Sequence, residues 1–124
     1  MSIEALWAVQ FTAFNVGTIQ TRVAKSGGVI VIETNRVFGG DTWQWYTGTY
    51  DKNPNTGRLT FRIKTGVHFT DGGESIFGGP LQPLNLVGDV QVSPDQQSMT
   101  ATLTVEGNPS MTMNATLTRI DELP

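Results

Sequence analysis

The strongest constraint on the fold is a two-residue rhythm. From Arg58 to Phe69, Leu59, Phe61, Ile63, Val67 and Phe69 fall on one side, and Arg58, Thr60, Arg62, Lys64 and His68 on the other. Successive side chains of a strand point to opposite faces, so this pattern predicts a strand with one face in the core. The same rhythm runs along the N-terminal segment through Ile3, Ala5, Trp7, Val9, Phe11 and Ala13. It returns in Leu84, Leu86, Val90 and Val92, in Met99, Ala101, Leu103 and Val105, and in Met111, Met113, Ala115 and Leu117. Val29-Ile30-Val31-Ile32 reads as a short strand covered on both faces, and Thr42 to Tyr50 as a further strand. Ile19, Thr21 and Val23 weakly suggest another. Val, Ile and Thr together supply more than a quarter of the chain, which suits a pleated sheet and disfavours helices.

Between these segments lie turns with a mechanism. Lys25-Ser26-Gly27-Gly28, Gly39-Gly40-Asp41, Ser93-Pro94-Asp95-Gln96-Gln97 and Gly107-Asn108-Pro109-Ser110 combine Gly, Pro and short polar side chains. The one long connection is Thr70 to Pro83, rich in Gly and Pro, where Ile76-Phe77 is expected to pack on the rim. The reading is all-β: one domain over residues 1–124, an antiparallel up-and-down barrel of about eight strands, with a two-sheet sandwich as runner-up. On the last two strands the outward positions are nearly all Thr and Asn, a wet, β-prone face.

Composition then excludes function classes. Eight basic residues stand scattered among eleven acidic ones, so no basic stripe exists for direct nucleic-acid binding. Cysteine is absent, which removes disulfides, thiolate metal sites and cysteine nucleophiles. No apolar run approaches the length of a membrane helix, and the N-terminal residues do not resemble a secretory signal, so a cytoplasmic location is expected. Without that signal, the acceptor-like Asn114-Ala115-Thr116 implies no glycosylation.

Chemistry-bearing motifs are sparse. His68 is the lone histidine and has no further ligands at metal-binding spacing, so no metal and no cofactor are expected. Asp41, Asp71 and Glu74 read as turn carboxylates, and the Gly-Gly pairs lack the Lys-Ser/Thr of a phosphate loop. No catalytic residue is assigned. An enzyme using His68 with a loop carboxylate stays as a third reading. The aromatic residues carry more. Trp43 and Trp45 share a face and could meet Trp7, Phe11 and Phe61 inside, as a packed core or as the lining of a site for a small apolar ligand. Tyr46 and Tyr50 fall on the opposite face, where they could bind a protein partner.

Several segments together resemble one family. These are the first strand opened by Leu6-Trp7, the run Val31-Ile32-Glu33-Thr34-Asn35-Arg36-Val37-Phe38-Gly39-Gly40-Asp41, then Tyr46 and Gly48, and the terminal Arg119-Ile120-Asp121-Glu122-Leu123-Pro124. The layout looks like the GrlR-type family of small bacterial proteins. The resemblance implies a calycin-like (lipocalin-like) barrel, often a homodimer, and a non-enzymatic negative regulator that binds a transcriptional activator. In that family an acidic surface loop is associated with activity. The matching hairpin here spans residues 51–58, where Asp51 is the only acid and Lys52 and Arg58 oppose it.

Overall fold

The computed structural model describes residues 2–14, 23–68 and 82–124. Eight antiparallel strands follow one another around a closed barrel. They are β1 (Ala5–Phe14), β2 (Val23–Glu33), β3 (Arg36–Gly40), β4 (Gln44–Lys52), β5 (Leu59–Val67), β6 (Leu84–Val92), β7 (Ser98–Val105) and β8 (Asn108–Asp121). Each strand pairs with the next, and β8 returns to pair with β1 from Met113 opposite Ala13 to Asp121 opposite Leu6. Closure leaves no free sheet edge and excludes the sandwich. The suggested strand around Ile19 and Thr21, and most of the Thr70 to Pro83 connection, lie outside the described residues.

The sequence located every strand but β3, and three of its punctuation marks do not hold. Asn108-Pro109-Ser110 already belongs to β8, so the chain reverses at Glu106-Gly107. Lys25-Ser26-Gly27-Gly28 does not turn. It lies within β2, opposite Thr12 to Val9 of β1. Gly39-Gly40 does not break the chain either, but pairs with Ile30 and Val29 as the end of β3. The actual reversal is Thr34-Asn35, both with positive φ (49° and 63°), the geometry of a two-residue hairpin that matches the strand twist. Thr is a poor turn residue, which hid this hairpin.

Glycines inside strands serve the curvature. A Cβ on Gly48 would fall on the carbonyl oxygen of Arg62, and one on Gly88 on that of Thr102. Neighbouring strands approach there too closely for any side chain, as a small barrel requires where its wall bends.

The interior fills from one end. The largest fully buried side chains are Trp7, Ile32, Val37, Phe61, Val90, Met99 and Leu117. All lie toward the end of the barrel that carries the 34–35, 53–58 and 93–97 turns, the start of β1 and the end of β8. Each such side chain contributes roughly 1.5–3 kcal/mol by leaving water. Toward the other end Phe11, Leu84 and Met111 also face inward but are only half-buried.

Candidate binding surfaces of the barrel

At the filled end, the Trp7 indole is fully buried and donates from Nε1 to the Ile3 carbonyl (2.9 Å). The Arg119 guanidinium covers its face, 5.6 Å from the ring centroid. Arg119 donates to the carbonyls of Ser2 (2.7 Å) and Gln96 (3.3 Å), and its fork grips the Glu122 carboxylate at 3.1 Å through both Nε and Nη2. These contacts plug the barrel floor. The sequence reading missed Arg119 because its only local signal was a basic residue in an otherwise uncharged alternation.

At the opposite end, Asp41 organises the rim. Its Oδ1 accepts from the backbone amides of Trp43 and Gln44 (both 2.8 Å), an Asx turn that starts β4. Its Oδ2 accepts from the Tyr46 hydroxyl. Burial, then the hydrogen bond and the charge of Asp41, all raise the Tyr46 pKa above the ordinary phenol value. His68 Nε2 lies 3.0 Å and 3.1 Å from the backbone carbonyl oxygens of Asp41 and Thr42, so its contact with Asp41 is to the backbone and not to the carboxylate. Among the described residues, no group of three or more His, Asp or Glu is placed to hold a metal ion.

The aromatic residues divide differently from the sequence expectation. Trp7, Phe11 and Phe61 do face inward, but the aromatic neighbours of the two phenylalanines are the tyrosines. Phe11 meets Tyr46 edge to face at 5.8 Å, and Tyr50 lies 6.2 Å from Phe61. Tyr46 is 5% exposed, because Asp41 satisfies its hydroxyl and leaves the ring free to enter the core. Trp45 stands on the outer wall. Its indole lies flat over Gly66, where a Cβ would collide with it, and Lys64 Nζ sits 5.9 Å from the ring. Trp43 is half-buried in the 41–43 connection and accepts from the His68 amide at its carbonyl (3.0 Å). Asp51, Lys52 and Arg58 are exposed on the β4–β5 hairpin, while Tyr50 beside them turns inward.

The outer wall has two contrasting sides. Across β1–β3, Leu6 lies opposite Val31 and Val31 opposite Phe38, with Ala8 and Val29 paired alongside. Val29 is 46% exposed, Phe38 36% and Ile120, beside Leu6 where β8 returns, 51%. Trp45 extends this apolar side onto β4. The sequence carried the signal: Val29 and Val31 alternate with Ile30 and Ile32, so the strand is apolar on both faces, although the outer face is exposed at Val29 and not covered as expected.

The other side, across β5–β8, is a lattice of hydroxyls and amides. Thr100 lies opposite Thr116, Thr102 opposite Asn114 and Thr104 opposite Thr112. Gln91 and Asp89 of β6 pair with Thr100 and Thr102. This wall is concave on the outside and holds an open groove of about 700 Å3.

What fold and surfaces define is a closed eight-stranded antiparallel barrel, plugged at one end, with one apolar and one polar outer wall. No family model matches the chain, and no curated protein matches it. Among solved structures it is similar to the ywiB protein from Bacillus subtilis, with 13% identity, 99% of this chain and 96% of that one covered, and a TM-score of 0.34. At that level the likeness bears on neither fold nor function.

Proposed function

We propose that this chain is a non-enzymatic binding protein of the regulatory or adaptor kind, working as a homodimer joined through the apolar wall of β1–β4. The observation that carries the reading is that wall: Val29, Phe38 and Ile120 are exposed together on one side of the barrel. Contiguous apolar surface of this sort marks protein interaction sites. A second copy fits it because the margin is self-complementary. Glu33 and Arg36 pair with each other across the hairpin there (3.4 Å), so the margin carries no net charge, and a two-fold axis sets the same apolar face against itself. The resemblance to GrlR-type regulators supports the same reading and implies a transcriptional regulator as a further partner, with a cytoplasmic location. The exposed 51–58 hairpin, carrying Asp51, Lys52 and Arg58, is the surface that resemblance assigns to it.

Light scattering of the eluting protein tests the dimer. The expected result is a dimer that Val29→Glu and Phe38→Asp convert to folded monomers with unchanged circular dichroism. A wild-type protein that stays monomeric at high micromolar concentration overturns the reading.

A second reading is favoured by the half-buried inward residues Phe11, Leu84 and Met111 at the end opposite the floor. A calycin-like barrel of this size has room for one small apolar ligand there. Tryptophan fluorescence mixes the signal of this end with others, since Trp43 lies at this rim, Trp7 at the floor and Trp45 outside. Chemical-shift perturbation of the Met111 and Met113 methyl groups by fatty acids is the suitable test, and unchanged methyl shifts would exclude it.

A further inference from the structure

We propose that the groove on the outer wall of β5–β8 is a binding site for a neutral oligosaccharide. Its volume of about 700 Å3 lies within the range of roughly 300–1,000 Å3 typical of small-ligand sites. Threonine hydroxyls line it, and four planar side chains, Arg58, Asp89, Gln91 and Asn114, stand among them. Planar carboxylate, amide and guanidinium groups present paired donors or acceptors that match vicinal hydroxyls of a sugar ring. The floor is supplied in part by Val87, a small apolar surface against which the C–H face of a pyranose can rest.

The alternatives fit less well. Every strand of the wall is paired on both sides, so an extended peptide finds no backbone edge to join. The groove also lacks a deep apolar recess for peptide side chains. Nucleic acid and anionic glycans need net positive charge, whereas Arg58 and Asp89 cancel. Among the described residues neither of these two makes an ion pair, although both line the groove. Their hydrogen-bonding capacity is therefore available to a ligand. The groove lies across the barrel from the apolar wall, so dimerisation and glycan binding are independent, and failure of one leaves the other standing.

The test uses the full chain with maltohexaose, cellohexaose and chitohexaose as probes, followed by amide chemical shifts. The expected result is saturable shifts from at least one probe, confined to residues 87–91, 100–104 and 114–116, with residues 29–38 unmoved. Asn114→Ala and Thr102→Val should weaken binding about tenfold each, and Thr102→Val retains the branched shape that the strand needs. No saturable shift from any of the three probes in the millimolar range overturns the proposal. So does a response to oligopeptide or oligonucleotide at these residues without one to glycan.

Discussion

Arg119 and Trp7, on the last and first strands, stack at the barrel floor with the guanidinium 5.6 Å from the indole centroid. Nearly all of the Arg119 side chain is withdrawn from water, yet Glu122, its charged partner, is 72% exposed. The pair therefore draws its worth from enclosure of the cation by carbonyls and the ring rather than from surface charge attraction.

Arg119→Ala is expected to destabilise the protein by about 3–5 kcal/mol, because the Ser2 and Gln96 carbonyls lose their donor and the indole its cover. Arg119→Lys keeps the charge but loses the fork on Glu122, and should fall between the two. Urea unfolding gives the energies, and a red shift of tryptophan emission reports the uncovered Trp7.

Tyr46→Phe removes the hydroxyl from Asp41 but leaves the carboxylate its two amide donors, so a loss of about 1–3 kcal/mol is expected. The folded phenol pKa is raised, so its stabilisation is in place below the ordinary value of 10.0 and is lost as pH rises beyond it. Alkaline unfolding of the wild type should therefore be steeper than that of the variant. Equal slopes would contradict the assignment.

The 93–97 turn predicts the opposite sign. The Ser93 hydroxyl (2.6 Å) and the Gln97 amide (3.1 Å) hydrogen-bond to the Asp95 carboxylate and lower its pKa below the ordinary 3.8. Its contribution is present above that value and lost as pH falls through the folded pKa. In a carbon-detected NMR titration, Asp95 should titrate below a free aspartate, and Ser93→Ala should return it toward the ordinary value.

Thr34 holds φ at 49°, a conformation costly for a β-branched residue. Thr34→Gly relieves that strain, and a gain of up to about 1 kcal/mol is expected in thermal unfolding.

Two glycines separate kinds of crowding. At Gly66 an added Cβ meets the Trp45 indole, which can swing into solvent; at Gly48 it meets the backbone of β5, which cannot move. Gly66→Ala should cost about 1 kcal/mol and shift Trp45 emission to the red, while Gly48→Ala should cost about 3 kcal/mol or more.

These particulars show what the sequence made legible. Period two marked the inward residues of β1, β5, β6, β7 and β8, since alternation is a local property that burial enforces. It placed Tyr46 and Trp45 on opposite faces but took the tryptophan face as the inside, where the structure buries Tyr46. That was decided by partners distant in sequence or hidden by a turn: Asp41 receiving the phenol, Gly66 receiving the indole. Gly39-Gly40 looked like a break because glycine signals both turns and tight strand contacts, and only the packing of β2 against β3 tells them apart. The candidate surfaces followed the same rule. The threonine wall was readable strand by strand, whereas its concavity depends on how four strands bend together.

The floor plug also sets an order of events during synthesis. Trp7 is made early, but its cover arrives with residue 119, and β1 has an unpaired side until β8 follows. Throughout elongation the nascent chain therefore carries a bare indole and an open strand edge. Sites of that kind are where a chaperone holds a chain or two chains misjoin. Slow translation just before β8 should lengthen that exposure, and fast completion should shorten it.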